Sequence, residues 1–129
     1  MGTLASVNLF ARDLDGLVGF YAGLFDLSEA IEQRSPIFRS LDAGGVAIAF
    51  NGMAAYGLLN LEQPAAPVGP SFMLTFEVES HAAVDTLTKR ATERGAVGVK
   101  PPYDTAYGSR QSVLRDPEGN VFRINAFTP

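Results

Sequence analysis

Arg110-Gln111-Ser112-Val113-Leu114-Arg115-Asp116-Pro117-Glu118-Gly119-Asn120-Val121-Phe122-Arg123-Ile124-Asn125-Ala126-Phe127 is the stretch whose reading decides the fold. Two runs of β-forming residues flank Asp116-Pro117-Glu118-Gly119-Asn120, which carries proline and glycine where a tight turn wants them. A strand shows alternate side chains to opposite faces. Phe122, Ile124 and Ala126 therefore share one face, suited to packing under a helix. Val121, Arg123 and Asn125 share the other, with Gln111 and Val113 of the preceding strand. The stretch predicts a hairpin with an apolar back and a partly polar front.

Upstream, Phe72 to Val78 alternates as another strand, with Phe72, Leu74, Phe76 and Val78 on one face and Met73, Thr75 and Glu77 on the other. Ser80 is a helix N-cap candidate, Val84, Leu87 and Ala91 follow at helical spacing, and Gly95 suits the C-terminal end. Val97-Gly98-Val99 reads as a short strand. Lys100 to Gly108, with Pro101, Pro102 and Gly108, reads as a flexible loop whose Tyr103 and Tyr107 either rim a pocket or pack on the sheet edge.

The first half shows the same order. Ala5 to Ala11 is a strand with Val7, Leu9 and Ala11 on one face and Ser6, Asn8 and Phe10 on the other. Asp13 caps a helix whose apolar stripe is Leu14, Leu17, Val18, Tyr21, Leu24 and Phe25. Gly16, Gly19 and Gly23 weaken that helix or allow a close helix–sheet approach. Pro36 to Leu41 and Val46 to Phe50 are strands about the turn Asp42-Ala43-Gly44-Gly45, and Tyr56 to Leu61 is a candidate for a further strand. An offset of 67 lays Ser6 on Met73, Leu9 on Phe76, Asp13 on Ser80, Leu17 on Val84 and Phe20 on Leu87. The chain therefore reads as a duplicated βαβββ unit: a first module over 1–56, a proline-bearing linker over 57–70 and a second module over 71–129.

Composition sets the outer bounds. The chain has 129 residues, enough for one domain that buries roughly two thirds of its unfolded surface. Its 47% apolar and 19% charged residues suit a globular protein. A net charge of -4 argues against nucleic acid, which needs a basic stripe, and against an anionic membrane surface. Without cysteine there is no thiol nucleophile, disulfide framework or cysteine metal ligand. No signal peptide and no apolar run near ~20 residues is read, so the expectation is a cytoplasmic protein.

The element order, the helix start Asp13-Leu14-Asp15 running into Phe20-Tyr21 and Leu24-Phe25, and the closing strand–turn motif together resemble the glyoxalase / bleomycin-resistance / extradiol-dioxygenase superfamily, the vicinal oxygen chelate group. The resemblance covers nearly the whole chain, and the closing motif is its most specific part. It implies an α+β fold of two βαβββ modules whose curved sheets pair into an open cup around a ligand, and it implies a homodimer. Met53, Tyr56, Leu58, Leu59 and Leu61 are candidates for dimer contacts. Carried over by position, the family's four metal ligands fall on Ser6, Ala47, Met73 and Arg123, where the pattern wants histidine, glutamine or glutamate. Alanine has no donor atom, a thioether is too soft for the hard or borderline cations these enzymes use, and a guanidinium repels a cation. The resemblance therefore implies a protein with no metal and no cofactor that sequesters an antibiotic or metabolite. The alternative is a glyoxalase-like lyase or isomerase, or a dioxygenase-family enzyme with an atypical site.

The candidate ligand-binding residues are Ser6, Asn8, Phe10, Ala47, Met73, Thr75, Tyr103, Tyr107, Gln111, Val113, Arg123 and Asn125. No catalytic residue is assigned. Asn8, Thr75, Gln111 and Asn125 either orient a ligand or bond one another, since buried polar groups need partners. Arg123 cannot shed its charge, so it needs an acceptor, and Glu77 is the one acid on its face. His81 is expected to be a solvated surface residue, Glu77 a solvated rim residue, and Arg110 half of a surface ion pair.

Overall fold

The two long helices begin where their caps predict. Asp13 accepts a hydrogen bond from Gly16 N at 3.0 Å and opens α1 (Leu14–Phe25). Ser80 accepts one from Ala83 N at 3.1 Å and opens α3 (His81–Glu93). These bonds satisfy amides that have no partner inside the helix. A Cβ at position 16 would stand 2.2 Å from Asp13 Oδ2, so Gly16 makes room for the cap. Gly19 meets nothing within 4 Å of such a Cβ, so it makes no close approach to the sheet. Asp26 ends α1 in the left-handed conformation, φ 53°.

The computed structural model describes residues 2–65 and 70–129 and has an α+β architecture. Its chain groups into two compact units, Met1–Val68 and Gly69–Pro129. Part of the expected linker, residues 66–69, lies outside the described residues.

The first unit holds β1 (Ser6–Ala11), α1, β2 (Phe38–Asp42), β3 (Ala47–Gly52) and the short helix α2 (Ala55–Leu58). Its sheet order is β1-β3-β2, with β1 parallel and β2 antiparallel to β3. Leu9, Leu41, Ile48 and Phe50 are buried on the face covered by Leu17, Val18, Tyr21 and Leu24, and Tyr21 lies 5.9 Å from Phe50 between ring centroids. One expectation fails here. Tyr56–Leu61 is not a strand, because α2 begins at Ala55 and Tyr56 stacks on Phe10 at 4.1 Å, fixing a helical turn. Between α1 and β2 the chain forms no regular strand. Ile31–Gln33 is a single 3₁₀ turn, and Glu29–Leu41 and Ser35–Phe38 are isolated bridges.

The second unit realises the full βαβββ pattern: β4 (Leu74–Glu77), α3, β5 (Val97–Asp104), β6 (Arg110–Arg115) and β7 (Val121–Ala126), in sheet order β4-β7-β6-β5. Leu114, Phe122, Ile124 and Ala126 are fully buried, with Val84 and Ala91 of α3 also inaccessible. The expected flexible loop from Lys100 to Gly108 is instead strand as far as Asp104, followed by a tight turn closed by Thr105 N donating to Ser109 O at 2.8 Å. Prolines fit because β5 is an edge strand and Pro101 and Pro102 fall in a register shift between Lys100 and Tyr103.

The extra strand changes the duplication. Val7 pairs with Ile48 in β1–β3, and Leu74 with Phe122 in β4–β7. Leu74 is 67 beyond Val7, but Phe122 is 74 beyond Ile48. The offset of 67 therefore holds through the helix and grows by seven before the last strand. By this register Arg123 is the counterpart of Ala49, and Asn125 of Asn51. Among the described residues no helix is long and apolar enough to cross a membrane.

Candidate functional site

The alternation of β6 and β7 divides the second sheet as the hairpin reading expects. Ser112 meets Thr88 of α3 at 2.6 Å and Arg110 meets Asp85 of α3 at 3.0 Å, so these two face the helix. Gln111 and Val113 therefore face away from it. On that face the pairing register sets two rows across four strands. Glu77, Asn125, Gln111 and Tyr103 form one; Thr75, Arg123, Val113 and Lys100 form the other.

The first row holds two separate hydrogen-bonded groups, one about Glu77 and Asn125 and one about Gln111 and two tyrosines. Asn125 Nδ2 donates to Glu77 Oε2 at 2.8 Å, and Phe127 N donates to Glu77 Oε1 at 3.1 Å. Gln111 Nε2 donates to the Tyr103 hydroxyl, while the Tyr107 hydroxyl donates to Gln111 Oε1 at 3.1 Å. Gln111 and Asn125 are each 5% exposed, and Asn125 Oδ1 is buried with no partner. Glu77 is exposed, as a rim residue should be, yet both of its oxygens are engaged.

In the second row Arg123 Nε donates to Thr75 Oγ1 at 2.7 Å. Among the described residues no carboxylate pairs with this guanidinium, and Glu77 is turned to Asn125 instead. A guanidinium has five donors, so one hydroxyl leaves most of its capacity unused. Lys100 Nζ lies 3.7 Å from the Tyr103 ring centroid, a cation–π contact. Met73 lies just outside β4 and is 46% exposed.

The first unit has a corresponding face turned away from α1, bearing Ser6, Asn8 and Phe10 of β1 opposite Ala47, Ala49 and Asn51 of β3. Asn8 Nδ2 donates to Ser6 Oγ at 3.0 Å, and Asn51 Nδ2 donates to Asn8 Oδ1 at 3.1 Å. Here the polar groups satisfy one another, beside the Phe10–Tyr56 stack. Ala49 stands where the second sheet has Arg123, so this face carries no counterpart of that charge.

Asn51 lies one residue beyond the third strand expected from the sequence, which ends at Phe50. Continuing the alternation Ala47, Ala49 by two residues finds it. Lys100 has no assignable face in a loop; β5 gives it one. Arg110 is the surface pair expected, bonded to Asp85 and Asp104 at 3.0 Å each. His81 departs from expectation: it is only partly exposed, and its Nε2 is buried without a partner.

The donors at the carried-over ligand positions do not fit a divalent metal. Ser6, Ala47, Met73 and Arg123 offer a hydroxyl, a methyl, a thioether and a guanidinium. Reassigning Ala47 to Ala49 by register exchanges one methyl for another. Among the described residues no three of His, Asp and Glu gather elsewhere.

The comparisons agree with this architecture. The description glyoxalase/bleomycin resistance protein/dioxygenase superfamily matches residues 3–124. A glyoxalase/bleomycin resistance protein/dioxygenase family enzyme from Burkholderia phytofirmans PsJN is 44% identical, with a TM-score of 0.93 over 98% of this chain and 99% of that one. Lactoylglutathione lyase from Agrobacterium tumefaciens is 20% identical, with a TM-score of 0.72 over 98% and 94%. The fosfomycin resistance protein FosX from Mesorhizobium loti is 17% identical, with a TM-score of 0.70 over 97% and 91%. At those last two identities the likeness is one of fold alone. No curated protein matches. The chain belongs to the glyoxalase/bleomycin resistance protein/dioxygenase superfamily.

Proposed function

We propose that the chain is a metal-independent binding protein of the resistance type, which sequesters a small, partly aromatic antibiotic or metabolite on the face of its second sheet turned away from α3, in the cytoplasm and as a homodimer. The observation that carries this reading is Arg123, a residue of intermediate exposure whose guanidinium bonds to Thr75 Oγ1, with no carboxylate partner among the described residues. A permanent charge in this setting favours a ligand that brings an acceptor: a carboxylate, a carbonyl or a phenolate. Tyr103, Val113 and Met73 supply aromatic and apolar surface for the rest of such a molecule. The donor set at the family's metal positions supports binding over metal-assisted chemistry.

The test is binding together with metal analysis. Protein purified without chelators is expected to hold less than stoichiometric divalent metal. Native mass spectrometry of protein taken from its own cell extract is expected to retain a small molecule with an acceptor group. Arg123→Met should then weaken that molecule's binding by about ten- to a hundred-fold, the effect of losing one charge-assisted bond, with the fold unchanged by circular dichroism. Unchanged affinity in Arg123→Met, or a chelator-sensitive activity with bound metal, would overturn the reading.

A further inference from the structure

We propose that the ligand of the second sheet also carries an O–H or N–H donor near its acceptor, and that Asn125 Oδ1 receives it. The inference rests on the Arg123 reading and narrows the ligand to a small hydroxy- or amino-substituted carboxylate.

The orientation of the Asn125 amide is fixed by chemistry. Its neighbour Glu77 accepts at 2.8 Å, and an ionised carboxylate can only accept. Nδ2 must therefore face Glu77, because a flipped amide would set oxygen against oxygen. That turns Oδ1 away from Glu77, and it is there that the side chain, 5% exposed, has an acceptor with no partner. The cross-strand neighbour Gln111 does not serve it, since its amide is directed to the Tyr103 and Tyr107 hydroxyls. A buried acceptor without a donor is costly and is uncommon in folded proteins. Arg123 lies two residues earlier on the same face of β7, roughly 7 Å along the strand. One small molecule spans that distance with an acceptor at the guanidinium and a donor at the amide oxygen.

The three hydroxybenzoate isomers and their methyl ethers make a suitable probe set, because each ether keeps the carboxylate and loses the donor. Titration of the full chain at millimolar concentration is followed by calorimetry and by the NMR signals of the Asn125 side-chain amide and Arg123 Nε–H. At least one hydroxybenzoate is expected to bind about tenfold more tightly than its own ether. It should move both signals, while the ether moves only that of Arg123. If every ether matches its parent and Arg123→Met weakens both, the donor inference is overturned and the Arg123 reading stands. If Arg123→Met leaves the binding of parent and ether unchanged, the Arg123 reading falls and this inference with it. Absence of binding by all six compounds overturns this inference and leaves the Arg123 reading to its own test.

Discussion

Glu29 shows how much a single side chain can do outside any periodic pattern. Its carboxylate accepts from Arg39 Nε and Nη2 at 2.9 and 2.6 Å and from Arg34 Nε and Nη2 at 2.8 Å each. The hydrogen bonds from Arg39, then those from Arg34, hold its pKa at about 2 against an ordinary 4.5, with burial opposing them. The side chains of Glu29 and Arg39 are 12% and 15% exposed, so this pair escapes much of the screening that weakens surface ion pairs. Because the folded pKa is depressed, the stabilisation is fully present above the unfolded value near 4.5 and is lost as pH falls through about 2. Glu29→Gln is expected to cost about 1–3 kcal/mol at neutral pH. Urea unfolding across a pH series should show the gap between variant and wild type closing between pH 4.5 and 2; a constant gap would refute this account. None of it was legible in the sequence, because the partners stand five and ten residues away, Arg34 in irregular chain and Arg39 in β2, at no periodic spacing from Glu29. Arg123 was legible, since alternation alone assigns its face. The unmet oxygen of Asn125 was not, since it depends on which way Glu77 turns.

Elements were readable where their signal was periodic or capped, and unreadable where a tertiary contact overrode it. Both long helices begin at the expected caps, and the β6–β7 hairpin turns at Asp116-Pro117-Glu118-Gly119-Asn120 as read. In that turn the Asp116 carboxylate accepts from Glu118 N at 2.9 Å and Asn120 N at 3.0 Å. The Pro101-Pro102 pair argued for a loop, yet an edge strand with a register shift accommodates it. Packing between α3 and β6 is testable at one polar contact. Thr88 Oγ1 donates to Val84 O at 2.6 Å, so its proton is taken and Ser112 must donate in the 2.6 Å Ser112–Thr88 bond. Ser112→Ala therefore leaves Thr88 with its own bond and should cost about 0.5–1.5 kcal/mol. Thr88→Val strands the fully buried Ser112 hydroxyl and should cost about 1–3 kcal/mol. Urea denaturation of the two variants gives the comparison, and a smaller loss for Thr88→Val would reverse the donor assignment.

At the scale of the whole molecule the duplication was visible because cap and core positions repeat at one offset. The shift from 67 to 74 was not visible, because the strand that causes it has no counterpart in the first unit. That unit instead continues past β3 into α2 and a stretch where Leu58, Leu59 and Leu61 are 73%, 56% and 50% exposed. Three exposed leucines within four residues offer apolar surface of the kind that serves association. In a two-fold dimer the same patch serves on both copies, so one substitution acts twice. Leu59→Glu would place a carboxylate from each copy against apolar surface, where a desolvated charge is strongly disfavoured. Size-exclusion chromatography with light scattering is expected to give twice the chain mass for wild type and the single mass of about 13.7 kDa for Leu59→Glu. Both proteins should unfold at similar urea concentrations when dilute enough for wild type to dissociate, since Leu59 is exposed within its own chain. A single-chain mass for wild type would remove the dimer from the proposal, and an undissociated Leu59→Glu would move the interface away from this patch.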